Sequence, residues 1–366
     1  MFTVYGLTYD HTINYGSCMQ AYALGAAIRS LKPGGEDCDY SLIPIRTFPE
    51  WQSRSLLSTL LSPLIRFSRK QFEPFEKEYI RFTPVHSMQG LTKLNDTADA
   101  FVCGSDVIWN PDFNHGSNVC ALDFAEKYKF SYAASFGKAN IPPAVLERMR
   151  PALLALNDIS VREVSGEKVV ADCCGRTAQT VADPVLLLKP EDWRGIAAPA
   201  MRRKKPYIFV YVTQLTDEIR AFIKALKTKT GYGVIYAAYG PRQQLSEGIL
   251  RVQTPQLWLR QLMDADLVVT NSFHSTAFSV LFHKNFYTVV SGEKAGGINV
   301  RMYDFLTAMA LPERIVNRVP DVIDVEAPSF DRADKTIAAL RENSLEYLRR
   351  NLEAAYREKN AGNTGD

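Results

Sequence analysis

The chain has 366 residues, 46% hydrophobic and 23% charged, with a formal net charge of only +3. That length suits two domains that each bury a core, and scattered basic residues on a near-neutral chain leave no nucleic-acid footprint, so small-molecule chemistry is the class left open. Cys18, Cys38, Cys103, Cys120, Cys173 and Cys174 form no C-x-x-C pair and have no histidine at metal-ligand spacing, so the expectation is reduced thiols without metal in a cytoplasmic protein.

Met1 to Asp10 has no early Lys or Arg, and no signal peptide is expected; no apolar run is long enough to cross a bilayer. Phe2 to Tyr9 reads as an opening strand, followed by a turn-rich loop through Asn14, Gly16 and Ser17. A helix over Cys18 to Ser30 stops before Pro33-Gly34-Gly35, and a strand over Tyr40 to Ile45 completes a βαβ unit with parallel pairing. From Trp51 to Phe82 the sequence turns Leu-rich and basic. It reads as a helix packed on the sheet, with a membrane-surface or lid helix as the second reading.

A strand then ends in Gly104-Ser105-Asp106, where a glycine lets backbone approach a ligand closely. Asp106, Trp109 and Asn110 either line a cleft there or form an Asx turn beside a packing tryptophan. Phe130 to Ser135 is a further strand that runs into Phe136-Gly137-Lys138. Arg162 lies where the strand Asp158 to Val161 hands over to a helix near Glu163. An arginine so placed can hold a phosphate or carboxylate, or simply pair with Glu163 at the surface. Asp183-Pro184 forces an extended turn, and residues 189 to 206 read as the interdomain linker, with Arg202-Arg203-Lys204-Lys205 a solvated cluster.

The second half restarts with a strand Tyr207 to Val212, a helix Asp217 to Thr228, a strand Val234 to Ala238 and a helix Pro255 to Asp264. Asp264-Ala265-Asp266 is read as a helix stop rather than a metal-binding D-x-D. Next, Leu267 to Thr270 gives way to Asn271-Ser272-Phe273-His274-Ser275 and an apolar segment at helical spacing, which reads as strand, tight loop and buried helix. Open α/β sheets place ligands at that end of a strand. Asn271, Ser272 and Ser275 can each cap the helix, whose first amides suit an anion, and His274 is either an acid at its mouth or a cap partner. Phe286 to Val290 is a strand, Ser291 to Asn299 a Gly-rich lid loop, and Arg301 an anion ligand opening the helix that ends at Ala308. Ala333 to Lys359 is helical.

Taken in order, Asn14-Tyr15-Gly16-Ser17 with Gln20 to Leu24, Gly104-Ser105-Asp106 with Trp109-Asn110, Ser135-Phe136-Gly137, Ser160 to Glu163, Ala182-Asp183-Pro184, Asn271 to His274, and Arg301 with Asp304-Phe305-Leu306 resemble the polysaccharide pyruvyl transferase family. The resemblance implies an α/β fold of GT-B type. It would comprise Rossmann-like domains over 1–195 (acceptor side) and 206–325 (donor side), with the segment 326–366 a helix crossing back. It also implies transfer of the enolpyruvyl group of phosphoenolpyruvate to a hydroxyl pair of a cell-surface sugar or a lipid-linked precursor, giving a pyruvate ketal without a further cofactor. His274 matches the family's acid, with Asp106 as the candidate base. Arg162, Asn271, Ser272, Ser275, Arg301 and Lys138 are the donor-side candidates; Asn14, Gly16, Ser17, Gly104, Ser105, Trp109 and Asn110 are the acceptor side. Family members often carry arginine where this chain has Ser272. That departure keeps two alternatives open: a GT-B glycosyltransferase using a nucleotide sugar, and a binding protein without chemistry. A lipid-linked acceptor would imply peripheral contact with the inner membrane face.

Overall fold

The computed structural model describes residues 1–9, 13–48, 62–85, 87–112, 117–200, 205–238, 252–290, 299–320 and 323–362. Two parallel sheets organise it. The first holds β1 (Phe2–Leu7), β2 (Cys38–Leu42), β3 (Ala100–Cys103) and β4 (Tyr128–Ser131) in the order β2-β1-β3-β4. The short pair β5 (Ser160–Val161) and β6 (Gln179–Thr180) continues it through single bridges from Phe130 to Asp158 and from Ala134 to Val161. The second sheet holds β7 (Tyr207–Tyr211), β8 (Gly233–Tyr236), β9 (Leu267–Thr270), β10 (Asn285–Val289) and β11 (Ile315–Val316) in the order β11-β10-β9-β7-β8. Every residue of β3, β7, β9 and β10 is buried, as expected for parallel strands covered on both faces.

The helices, in chain order, are α1 (Tyr15–Ser30), α2 (Ser62–Arg69), α3 (Glu73–Tyr79), α4 (Pro143–Leu154), α5 (Val164–Cys174), α6 (Pro190–Ile196), α7 (Asp217–Thr230), α8 (Pro255–Asp264), α9 (Phe273–Leu281), α10 (Val300–Ala308) and α11 (Asp331–Gly362). Local chemistry sets their ends. Thr216 caps α7 through the amide of Ile219, Asp217 and Glu218 sit in its first turn, and Gly231 ends it in the left-handed region. Helix α1 begins at Tyr15 rather than Cys18, because the Asn14 side chain accepts from the amides of Gly16 and Ser17 and so extends the helix back into the expected loop.

The two halves share a core. One apolar cluster runs from Phe2 and Tyr15 through Trp193, Trp258 and Phe278 to Leu348. Tyr15 of α1 stacks on Trp258 of α8 with ring centroids 5.2 Å apart. The expected linker, residues 189 to 206, is not irregular throughout: its first part is α6, whose Trp193 is fully buried against Tyr22 and Phe278. Its indole N–H donates to the Val185 carbonyl at 3.0 Å, and Pro190 at the helix start favours the turn.

Helix α11 is a single long element that crosses from one half to the other. Asp334 near its start pairs with His283 at 2.8 Å, and Lys359 near its end reaches Asp99 at 3.0 Å. Between them, the Tyr347 hydroxyl donates to the Ser131 carbonyl at 2.9 Å and the Ser344 hydroxyl accepts from the Ala182 amide at 2.8 Å. Residues 51–61 of the Leu-rich basic segment lie outside the described residues, as do 202–204 of the charge cluster and 291–298 of the expected lid loop. The rest of the Leu-rich segment forms α2 and α3, with Phe72 and Phe75 in the core and Phe67 60% exposed. Among the described residues no helix is long and apolar enough to cross a membrane, and no group of three or more His, Cys, Asp or Glu side chains could hold a metal ion. All six cysteines are buried.

Candidate active site

The two sheets turn their carboxyl ends toward each other, and the polar residues that follow β3, β5, β6 and β9 converge between them. Asp183, just past β6, is the hub. Its Oδ2 accepts from Arg162 Nη1 at 2.9 Å and from the Ser105 hydroxyl at 3.2 Å, and lies 3.3 Å from His274 Nε2. Its Oδ1 accepts from the Val185 amide at 3.1 Å, so the turn at Pro184 fixes the carboxylate's direction. From the sequence, Asp183 reads as a turn residue within the Ala182-Asp183-Pro184 motif and is not among the site candidates. The signal was present, because the rule that singled out Arg162 at a strand's carboxyl end applies equally to Asp183.

Arg162 is not a surface residue paired with Glu163, as one reading had it; it is 6% exposed. Its Nε donates to Glu163 Oε1 at 2.9 Å, and Glu163 also accepts from the Ser135 hydroxyl at 2.8 Å. The guanidinium lies over the Phe273 ring at 4.2 Å. With Nε and Nη1 committed, Nη2 has no partner among the described residues although it is buried. A buried donor left unpaired is costly, so it marks a position where a ligand atom can bind.

His274 opens α9 and faces the other half. It is 4% exposed. A methyl group placed on Gly16 would lie 2.2 Å from His274 Nδ1, so only glycine allows α1 to come this close. Asp106, in the left-handed region at φ 59°, accepts from the Ser17 hydroxyl at 2.6 Å and from the Val107 amide at 2.8 Å. Burial alone would raise the Asp106 and Asp183 carboxyls, but His274 and Arg162 outweigh it and hold both below the ordinary carboxylate value, Asp183 well below. Burial would likewise lower Arg162, but Glu163, Asp183 and Asp106 outweigh it and raise its pKa. Asp106, Asp183 and Arg162 are therefore charged near neutrality.

Beside the cluster lies a mainly apolar cavity of about 170 Å³ at the seam between the halves. Arg162, Asp183, Phe273, Arg301, Asp304 and Phe305 contribute to its wall. Arg301 also lies within electrostatic reach of Asp106.

Several sequence expectations are redirected. Trp109 is fully buried, packs on Phe136 and donates its indole N–H to the Cys120 carbonyl at 3.0 Å, so it belongs to the first half's core and not to a cleft. Lys138 pairs with Asp112 at the surface and stands apart from the cluster. Asn271 does not cap α9. It ties β9 to β7, accepting from the Thr213 amide at 2.8 Å and donating to the Thr213 hydroxyl at 2.9 Å. Ser272 is the cap, accepting from the Ser275 amide at 3.5 Å. The Ser275 hydroxyl is buried without a partner among the described residues, as is Asn110 Nδ2. Gly104, at φ 114°, brings the backbone against the Tyr132 carbonyl, which a methyl group would approach to 2.1 Å.

Two Rossmann-like units facing each other across buried charges, braced by a C-terminal helix that returns to the first unit, define a GT-B-type fold. Solved structures with this fold include S. aureus MnaA with UDP, at 9% identity, TM-score 0.50, and coverage of 96% of this chain and 91% of that one. A protein assigned as a UDP-N-acetylglucosamine 2-epimerase from Listeria monocytogenes is similar at 8% identity, TM-score 0.52, and coverage of 96% and 89%. No curated protein sequence matches the chain. The polysaccharide pyruvyl transferase family profile matches residues 14–292. The chain belongs to that family, a family of transferases.

Proposed function

We propose that this protein transfers the enolpyruvyl group of phosphoenolpyruvate to a pair of sugar hydroxyls on a cell-surface glycan or its precursor, forming a pyruvate ketal. The observation that carries the reading is the buried, unpartnered Arg162 Nη2, on a residue that shares its Asp183 partner with His274 and lines a small cavity with Arg301. It suits the donor's carboxylate, while Arg301 and the first turn of α9 suit its phosphate. His274 as imidazolium gives a proton to the methylene carbon. A sugar hydroxyl adds to the neighbouring carbon, losing its proton to the Asp106 carboxylate or through the Ser17 hydroxyl bonded to it. The C–O bond to phosphate then breaks, the second hydroxyl closes the ring, and its proton returns to His274 while the proton taken first leaves with phosphate.

His274 is buried against Gly16, and in this reading the donor enters when the halves part along that contact. Closure then keeps water from the cation-like centre. In the test, phosphate release is followed with phosphoenolpyruvate and a panel of glycan acceptors. The parent protein is expected to turn over, and His274→Gln to lose at least about 100-fold. Unchanged turnover in His274→Gln would remove that residue from the mechanism, and a parent inert with every acceptor would count against the transfer itself.

A further inference from the structure

Helix α5 begins immediately after Arg162 and Glu163, and its formal cap, Glu163, makes no side-chain bond to the helix start because it is engaged with Arg162 and Ser135. The cap comes from the other half of the molecule. Asp304 of α10 accepts through one oxygen, Oδ2, from both the Ser165 hydroxyl at 2.9 Å and the Ser165 amide at 3.4 Å. A carboxylate at a helix N-terminus meets partial positive charge, so the contact suits its sign. Arg301 lies one turn earlier on the same helix, and both side chains line the cavity that Arg162 and Asp183 also line. The latch and the cation thus ride on one rigid element.

We propose that Asp304 is an interdomain latch and a positioning residue for the transfer: its bond to Ser165 holds α10 against α5 and so sets Arg301 beside Arg162 when the cleft is closed. This rests on the function proposed above for the meaning of Arg301, but the latch itself does not. Both partners are only part-buried, so the bond can break and re-form without unfolding either helix. The donor pulls the halves together, and without the latch part of its binding energy goes into closure. Its apparent affinity falls by the fraction closed, while turnover at saturating donor is retained.

Asp304→Ala is therefore expected to raise KM for phosphoenolpyruvate about tenfold with kcat within about twofold, for a latch that keeps most molecules closed. Asp304→Asn keeps an acceptor oxygen and should recover most of the parent KM. Adding Ser165→Ala to Asp304→Ala should cost nothing more, since both remove one interaction. Hydrogen exchange without donor gives a second readout: Asp304→Ala should speed exchange in the first turn of α5 and across α10 while leaving the core strand β3 protected. Parent KM in Asp304→Ala, a fall confined to kcat, or additive losses in the double variant would each overturn the proposal. If the parent neither binds nor turns over phosphoenolpyruvate, the proposed function fails, and the exchange arm alone decides the latch: unchanged exchange in α5 and α10 overturns it.

Discussion

At the scale of single residues, the site is a balance of buried charges. Asp106, Glu163 and Asp183 are each about 5% exposed or less, and Arg162 faces all three. Such a group is stable only while every member stays paired, because an uncompensated buried charge is strongly destabilising. Asp183→Ala should therefore cost about 3–5 kcal/mol in denaturant melts, by leaving Arg162 Nη1 and His274 without their shared anion. Gly16→Ala should be costly through packing instead. Its methyl group would fall on the His274 ring, so about 1–3 kcal/mol of stability and most phosphate release should be lost together. Much of this site was legible in the sequence, because each strand-to-loop handover named a polar residue at a carboxyl end. Two errors have physical causes. Trp109 and Lys138 follow such handovers too, but an indole is better buried in core than left in a wet cleft, and a flexible lysine finds the nearest surface carboxylate, Asp112.

At the scale of elements, helix α9 is short and buried throughout, so its cap matters more than its propensity. Ser272 supplies that cap. Ser272→Ala is predicted to cost about 1 kcal/mol, measured by thermal or urea unfolding, with Ser272→Asn near neutral. No loss in the alanine variant would mean that the long 3.5 Å bond to the Ser275 amide contributes little. The elements themselves were easy to read where periodicity and caps agreed: α8 is expected and found at Pro255–Asp264. They were hard to read where a long-range partner decides. Helix α6 hid inside a proline-rich stretch because what makes it a helix worth forming is Trp193, whose pocket is built by Tyr22 and Phe278 from elsewhere in the chain.

At the scale of the whole molecule, the halves are joined by polar contacts as well as by apolar packing, with His274 of one meeting Asp183 of the other and α11 bridging both. The pH dependence follows from the carboxylates. Asp106 and Asp183 are held below their unfolded values, so the stability they contribute is fully present above about pH 4 and is lost as pH falls below it toward their folded values. Acid unfolding should thus be steep below about pH 4, and the Asp183→Asn variant should show a shallower slope there. That long-range pairing is the part no local pattern announces, since residues 183 and 274 come together only once both sheets exist. The most direct test of the central claim is calorimetric titration of the purified protein with phosphoenolpyruvate and, separately, with UDP-N-acetylglucosamine. The account predicts one-to-one binding of phosphoenolpyruvate that Arg162→Met abolishes, and no comparable binding of the nucleotide sugar. Tight binding of the nucleotide sugar with none of phosphoenolpyruvate would contradict it.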